Sequence, residues 1–359
     1  MKLSYFLSLC ILTSAASACT QGATAPVLKS SALAGNAPST NASVTSDSNT
    51  TAVTQKPTAG LQKMTYQLGP FDLKAKTSSD AMQEKPARIT FSVDEPMWLT
   101  GFVPKLVNAQ GEALPGTLLH LAVISNRSEN NPLCSAEHTG NPLMAATGAL
   151  KEISLPEGYG YAVLPADTIE AVVVLQNPTD QDYHDVYFTF ALDGQPMSST
   201  PIMKDVLPLL FDADPCKHTP LAVEPGAYVK KTSRFAMPEA GSLIAAYGLL
   251  QAYGVEINLA KENDPAPFWK AAASIDPSYQ VTDLPAYQDT KGVAVNSGDG
   301  VVMNVAYQNF SDQWFNDATA AAMVYIARSG ERRAQASTTR TYGKKSADPA
   351  TAVQATLLK

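Results

Sequence analysis

Arg88-Ile89-Thr90-Phe91-Ser92-Val93 alternates polar and apolar side chains. That is the pattern of a half-buried strand, because successive side chains of an extended chain point to opposite faces. Working outward, short apolar runs recur at 118–124, 171–176, 186–192, 242–246, 255–259, 301–307 and 321–326. All are rich in β-branched or aromatic residues, which suit a pleated, half-buried surface. Turn chemistry separates them, as in Asn108-Ala109-Gln110-Gly111, Pro156-Glu157-Gly158, Asn177-Pro178-Thr179-Asp180 and Ser297-Gly298-Asp299-Gly300. Long amphipathic helices are missing from this pattern. Phe268-Trp269-Lys270-Ala271-Ala272-Ala273 reads as a short helix or a packed aromatic loop. Many short strands without alternating helices specify an all-β chain of sandwich architecture. The stretch 197–203, with its serines and Pro201, divides an N-terminal sandwich (64–200) from a C-terminal one (201–330).

The ends differ from this body. Residues 1–18 read as an export signal: Lys2, an apolar run at 3–13, then the small residues Ala16-Ser17-Ala18. The run is too short to span a bilayer, and no later segment reaches the roughly 18 apolar residues a span needs. Cys19 follows directly and has two readings. One is the lipid-accepting cysteine of a bacterial lipoprotein, anchored to a membrane of the cell envelope on its periplasmic or cell-surface side. The other is a free thiol left by an ordinary cleavage after Ala18. Residues 19–63 are dominated by small and polar side chains, too poor in apolar surface to offset the entropy of ordering them, so they read as a disordered tether. Residues 331–359 read as a disordered basic tail, with six basic residues against Glu331 and Asp348. The chain carries −7 overall while both ends are positive, so the body is more acidic still. That argues against nucleic-acid partners.

Several stretches resemble the copper type II ascorbate-dependent monooxygenases, the two-domain family of peptidylglycine alpha-hydroxylating monooxygenase. Gly101-Phe102-Val103 followed by Leu118-Leu119-His120-Leu121-Ala122-Val123 is similar to the family's strand ending in Leu-His-His-x-Val. Leu155-Pro156-Glu157-Gly158-Tyr159-Gly160-Tyr161 resembles its Leu-Pro-x-Gly-Tyr-Gly-Tyr turn. Gly248-Leu249-Leu250-Gln251-Ala252-Tyr253-Gly254 resembles its copper segment Gly-His-Leu-His-Asp-Tyr-Gly, and Met323-Val324-Tyr325-Ile326 its closing strand. The resemblance implies two tandem jelly-roll-like antiparallel β-sandwich domains facing one another across a cleft. It also implies one copper held by three histidines and another by two histidines and a methionine, donors that suit a metal cycling between soft and harder states.

Carried over residue by residue, the ligands are mostly gone. His120 matches the first histidine, but Leu121 takes the place of the second. Leu249 and Gln251 replace the two histidines of the other site, and Ala321 stands near its methionine, with Met323 two residues on. The strand at 186–192 holds no histidine, and His184 reads as a loop residue before it. The chain has four histidines, His120, His138, His184 and His218, where the family's two sites need five. The resemblance therefore implies a non-catalytic envelope lipoprotein without a metal cofactor, in a structural role or a binding one with an unknown small-molecule or protein ligand. The alternative is a divergent copper-dependent monooxygenase built around His120 with His184 or His218.

Cys134 and Cys216 are candidates for a disulfide in an oxidising compartment. With His138 and His218 they are candidates for a Cys/His metal site, although the spacing matches no strong zinc pattern. Met144 and Met323 read as core fillers. The aromatics Phe268, Trp269, Trp314 and Phe315 read as a ligand groove or as inter-sheet packing. Asp182, Asp185, Asp212 and Asp214 fit turn positions without a cation.

Overall fold

The computed structural model describes residues 50–53, 60–79, 86–134, 140–150, 152–198, 203–217, 219–318 and 320–329. The signal segment, Cys19, most of the tether, His138, His218 and the basic tail lie outside these residues.

The N-terminal half contains β1 (Thr50–Val53), β2 (Gln62–Leu73), β3 (Ala87–Phe91), β4 (Met97–Val107) and β5 (Leu119–Asn126). It continues with β6 (Asn141–Ala146), β7 (Ile153–Ser154), β8 (Tyr159–Val163), β9 (Ile169–Leu175) and β10 (Tyr183–Pro196). The C-terminal half contains β11 (Lys204–Asp212), β12 (Leu221–Val223), β13 (Tyr228–Ala236), β14 (Gly241–Leu250), β15 (Gly254–Lys261) and β16 (Asp264–Ala272). It closes with β17 (Ser274–Ile275), β18 (Val281–Asp283), β19 (Tyr287–Val295), β20 (Gly300–Gln308), β21 (Phe315–Ala318) and β22 (Ala320–Arg328). A single 3₁₀ turn at Gly116–Leu118 is the only named helical element among the described residues. No helix there is long and apolar enough to cross a membrane. The chain is all-β and built of β-sandwiches.

Each half packs two sheets around its own core. In the N-terminal half, β3-β9-β5-β6 packs on strands β2, β10 and β4. Tyr66 of β2 stacks on Phe91 of β3 at 4.1 Å and on Phe190 of β10 at 5.0 Å. In the C-terminal half, β13-β20-β15-β16 packs on β11-β22-β14-β19, with Phe211 and Phe235 stacked face to face at 4.1 Å. The two halves share one sheet. β8 pairs with β11 in parallel, Lys204 beside Tyr159, so the sheet runs β1-β2-β10-β4-β8-β11-β22-β14-β19 across the boundary. The strands on either side of the stretch 197–203, β10 and β11, thus belong to one continuous sheet.

That continuity buries β22 on both faces. Ala322, Val324 and Ile326 belong to the C-terminal core, while Met323, Tyr325 and Ala327 pack into the N-terminal one. A strand covered on both sides loses its polar–apolar alternation and reads as a run of apolar residues, as 320–327 does. The disulfide Cys134–Cys216, with Cα atoms 5.4 Å apart, ties the halves a second time.

Three sequence expectations change. The tether is too long as drawn, because Thr50–Val53 pairs antiparallel with β2, and β2 itself begins at Gln62. β-Branched Thr50, Thr51 and Val53 suit a strand, and the free edge of β2 offers them unpaired backbone groups. Phe268-Trp269 is neither helix nor loop but lies in β16, where Trp269 is buried and donates its indole N–H to the Pro285 carbonyl. His184 is in strand β10 rather than a loop, because pairing with β2 extends that strand back to Tyr183.

Candidate functional site

The outer face of β3-β9-β5-β6 looks across a cleft at β11, β14 and β22 of the C-terminal half, enclosing about 450 Å³. The alternation of the strands decides what faces it. Ala122, Ile124, Ala171 and Val173 point into the N-terminal core. Their neighbours Leu121, Val123, Val172 and Val174 line the cleft. The opposite wall is Leu210 of β11, Leu249 of β14, and Ala318, Ala320 and Ala321. Leu249 pairs with Ala321, and Ala321 in turn with Asp212.

His120 also lines the cleft, although it adjoins Leu121 in sequence. The register between β5 and β9 slips between Leu119 and Leu121. Such a bulge re-aims a side chain that strict alternation would send to the other face. The His120 ring is buried, with Nδ1 3.5 Å from Asp317 Oδ2, an oxygen that also accepts a hydrogen bond from Ser79 Oγ. The His120 carbonyl accepts the Gln251 side-chain amide at 2.5 Å, and the Gln251 N–H donates to Tyr307 Oη at 3.2 Å. Burial raises the Tyr307 phenol well above its ordinary value, which keeps it protonated.

The structure therefore gathers His120, Leu121, Leu249 and Ala321 on one cleft, with Gln251 hydrogen-bonded to the His120 carbonyl beside them. Among the described residues it does not gather donors for copper. Leu121, Leu249 and Ala321 present hydrocarbon, and the Gln251 amide is committed to a backbone carbonyl. His184 lies on β10, mostly exposed and 3.0 Å from Asp72, and does not line the cleft. Among the described residues no group of three or more His, Cys, Asp or Glu side chains is placed to hold a metal ion. Copper does not fit these residues. Cys134 and Cys216 are joined to each other, which removes the thiolates that a Cys/His site would need.

Met144 and Met323 are fully buried core residues. The four aromatics do not form one groove: Trp269 is buried, Phe268 meets Tyr287 edge-on, and Trp314 is exposed. Phe315 instead packs on Tyr253 at 5.0 Å. Asp182 binds Lys74 and the Ala75 N–H, whereas Asp212 accepts the Asp214 N–H in its own turn.

Sequence reading missed the polar end of the cleft. Glu170 lies 3.9 Å from both Arg88 and Arg127, and all three line it. Register carries the signal in retrospect. Arg88 pairs with Val172 and Ser125 with Glu170, so these polar side chains continue the cleft-facing rows of valines.

No family model matches the chain, and no curated protein sequence matches it. Among solved structures it is similar to the atomic structure of the Sulfolobus turreted icosahedral virus. That match has 11% identity and a TM-score of 0.34, covering 74% of this chain and 91% of that one. It is also similar to PNGF-II, at 10% identity and a TM-score of 0.35, covering 75% of this chain and 66% of that one. A third likeness is to the mavirus major capsid protein, at 10% identity and a TM-score of 0.23, covering 85% and 93%. None of these likenesses bears on activity.

Proposed function

We propose that the chain is an envelope-anchored, non-catalytic binding protein that holds a small, largely apolar ligand in the cleft between its halves. The observation that carries this reading is the lining. At the positions where the resembled monooxygenases hold metal, this chain offers Leu121, Leu249 and Ala321 around a cleft of ligand size. Gln251 and His120 are joined there in a hydrogen bond that stitches the two walls together. One histidine in such a setting holds a metal poorly. The anchor rests on Cys19 after Ala16-Ser17-Ala18 and on the polar stretch behind it.

Copper titration of the purified protein tests the non-catalytic part. The expected result is no tight stoichiometric binding and no ascorbate-dependent oxygen consumption. Either one would restore the divergent monooxygenase. Metabolic labelling with palmitate tests the anchor: label should enter the wild-type chain and vanish in Cys19→Ser. An unlabelled, freely soluble wild-type chain would overturn the anchor.

A further inference from the structure

We propose that the cleft takes a single-chain amphipathic carboxylate, of which a medium-chain fatty acid is the simplest case. This deepens the cleft-binding reading above, on which it rests, by adding the polarity and length of the ligand.

The N-terminal wall has a polarity gradient written along its strands. At one end Leu121 pairs with Val174, in the middle Val123 pairs with Val172, and at the other Ser125 pairs with Glu170. Four residues of strand separate Leu121 from Ser125, about 13 Å. Arg88 and Arg127 flank Glu170 at the polar end. A carboxylate on a chain of roughly ten carbons, with bonds near 1.5 Å, spans that distance.

Charge selects the sign of the head. Two guanidinium groups share one carboxylate, and both stand 3.9 Å from it. That is beyond the roughly 2.7–2.9 Å of a charge-assisted hydrogen bond, so Glu170 offsets charge without occupying the forks of the arginines. A ligand carboxylate would complete the balance and present the planar geometry an arginine fork matches. A cationic head placed there meets a net positive pair; the other carboxylate lining the cleft, Asp212, stands on the opposite wall beside Ala321.

The far end suits a hydrocarbon tail. Ala318, Ala320 and Ala321 contribute only methyl groups, which leaves width for a polymethylene chain against Leu249. His120 makes that end no more polar than its neighbours, because its Nδ1 is buried and turned to Asp317.

The test titrates the full-length protein with decanoate, decanol and decyltrimethylammonium, three probes of one tail length. Decanoate should bind once per chain, decanol about tenfold more weakly, and the cation more weakly still. Arg88→Met and Arg127→Met should each cost about tenfold for decanoate and leave decanol unchanged. Ala321→Phe should abolish binding of both. Val174→Phe on the opposite wall should do the same, and serves if Ala321→Phe melts early. Decanol binding as tightly as decanoate, or indifference to the arginine variants, overturns the carboxylate while leaving the cleft reading intact. If neither decanoate nor decanol binds, or if both bind regardless of the Phe variants, the cleft reading falls with it.

Discussion

The two ends of β22 lie against the N-terminal half in opposite ways. Toward its C-terminal end, Met323, Tyr325 and Ala327 are packed into the neighbouring core without a gap, and Tyr325 donates its hydroxyl to the Leu143 carbonyl. Toward its start, Ala320 and Ala321 face an open cleft. β22 pairs with β11 in unbroken register along its length, and with β14 on its other side apart from one bulge between Leu243 and Ala245. Side-chain volume makes the difference. Where the strand carries Met323 and Tyr325 the halves are welded, and where it carries Ala320 and Ala321 in succession they leave room.

Tyr325→Ala should break the welded end most severely. It deletes a fully buried aromatic and strands a carbonyl, so thermal or denaturant unfolding should show a loss of about 4 kcal/mol. A loss under about 1 kcal/mol would mean that the halves are not packed there as described. Removing the cystine by Cys134→Ala with Cys216→Ala should cost about 3–4 kcal/mol, because it frees a loop of 82 residues in the unfolded chain. Denaturant midpoints of both forms under oxidising conditions measure it. Gln251→Leu removes one bond across the cleft and leaves the His120 carbonyl without its amide, for about 1–2 kcal/mol in the same assay. Ala321→Leu sharpens the contrast from the other side. It should change stability by less than about 1 kcal/mol, because it grows into free space, and still weaken ligand binding.

The smallest effect lies at the welded end, where Arg328 reaches Glu239 at 3.0 Å and Asp205 at 3.7 Å. Burial raises the Glu239 carboxyl above its ordinary 4.5, with Arg328 opposing and Asp205 and Glu129 adding to the rise. The folded state then holds that proton more tightly than the unfolded one. Its contribution is full below pH 4.5 and fades as pH rises through the window just above. Glu239→Gln should flatten the slope of stability against pH in that window, and an unchanged slope would remove Glu239 from the balance.

How much was legible follows the same contrast. The alternation at 88–93 and the apolar run at 301–307 were readable because those strands carry one half-buried face beside a buried one. β1, β13 and β19 were not. Tyr228–Ala236 carries Lys230, Lys231 and Arg234 on an edge, and Tyr287–Val295 carries Asp289, Thr290 and Lys291 on another. Edge strands use such residues to discourage further pairing, which erases the hydrophobic period. At the site, His120, Leu121, Leu249, Gln251 and Ala321 stood out as a set only through a family resemblance, and the fold does bring them together. Arg88, Arg127 and Glu170 come from three separate segments. Only strand register makes them neighbours, and a single chain read in order does not contain it.

The cystine has a mechanical consequence. Asn131 lies beside Cys134 in its loop and Ala213 beside Cys216 in the other, and both border the cleft. A covalent staple at that margin removes the clamshell motion by which two-part binders often open. Under the proposed binding reading, cargo would slide in lengthwise along the strands, like a drawer rather than between jaws. A reductant should speed loading of the intact protein, and equal rates with and without it would show that the staple does not govern the path.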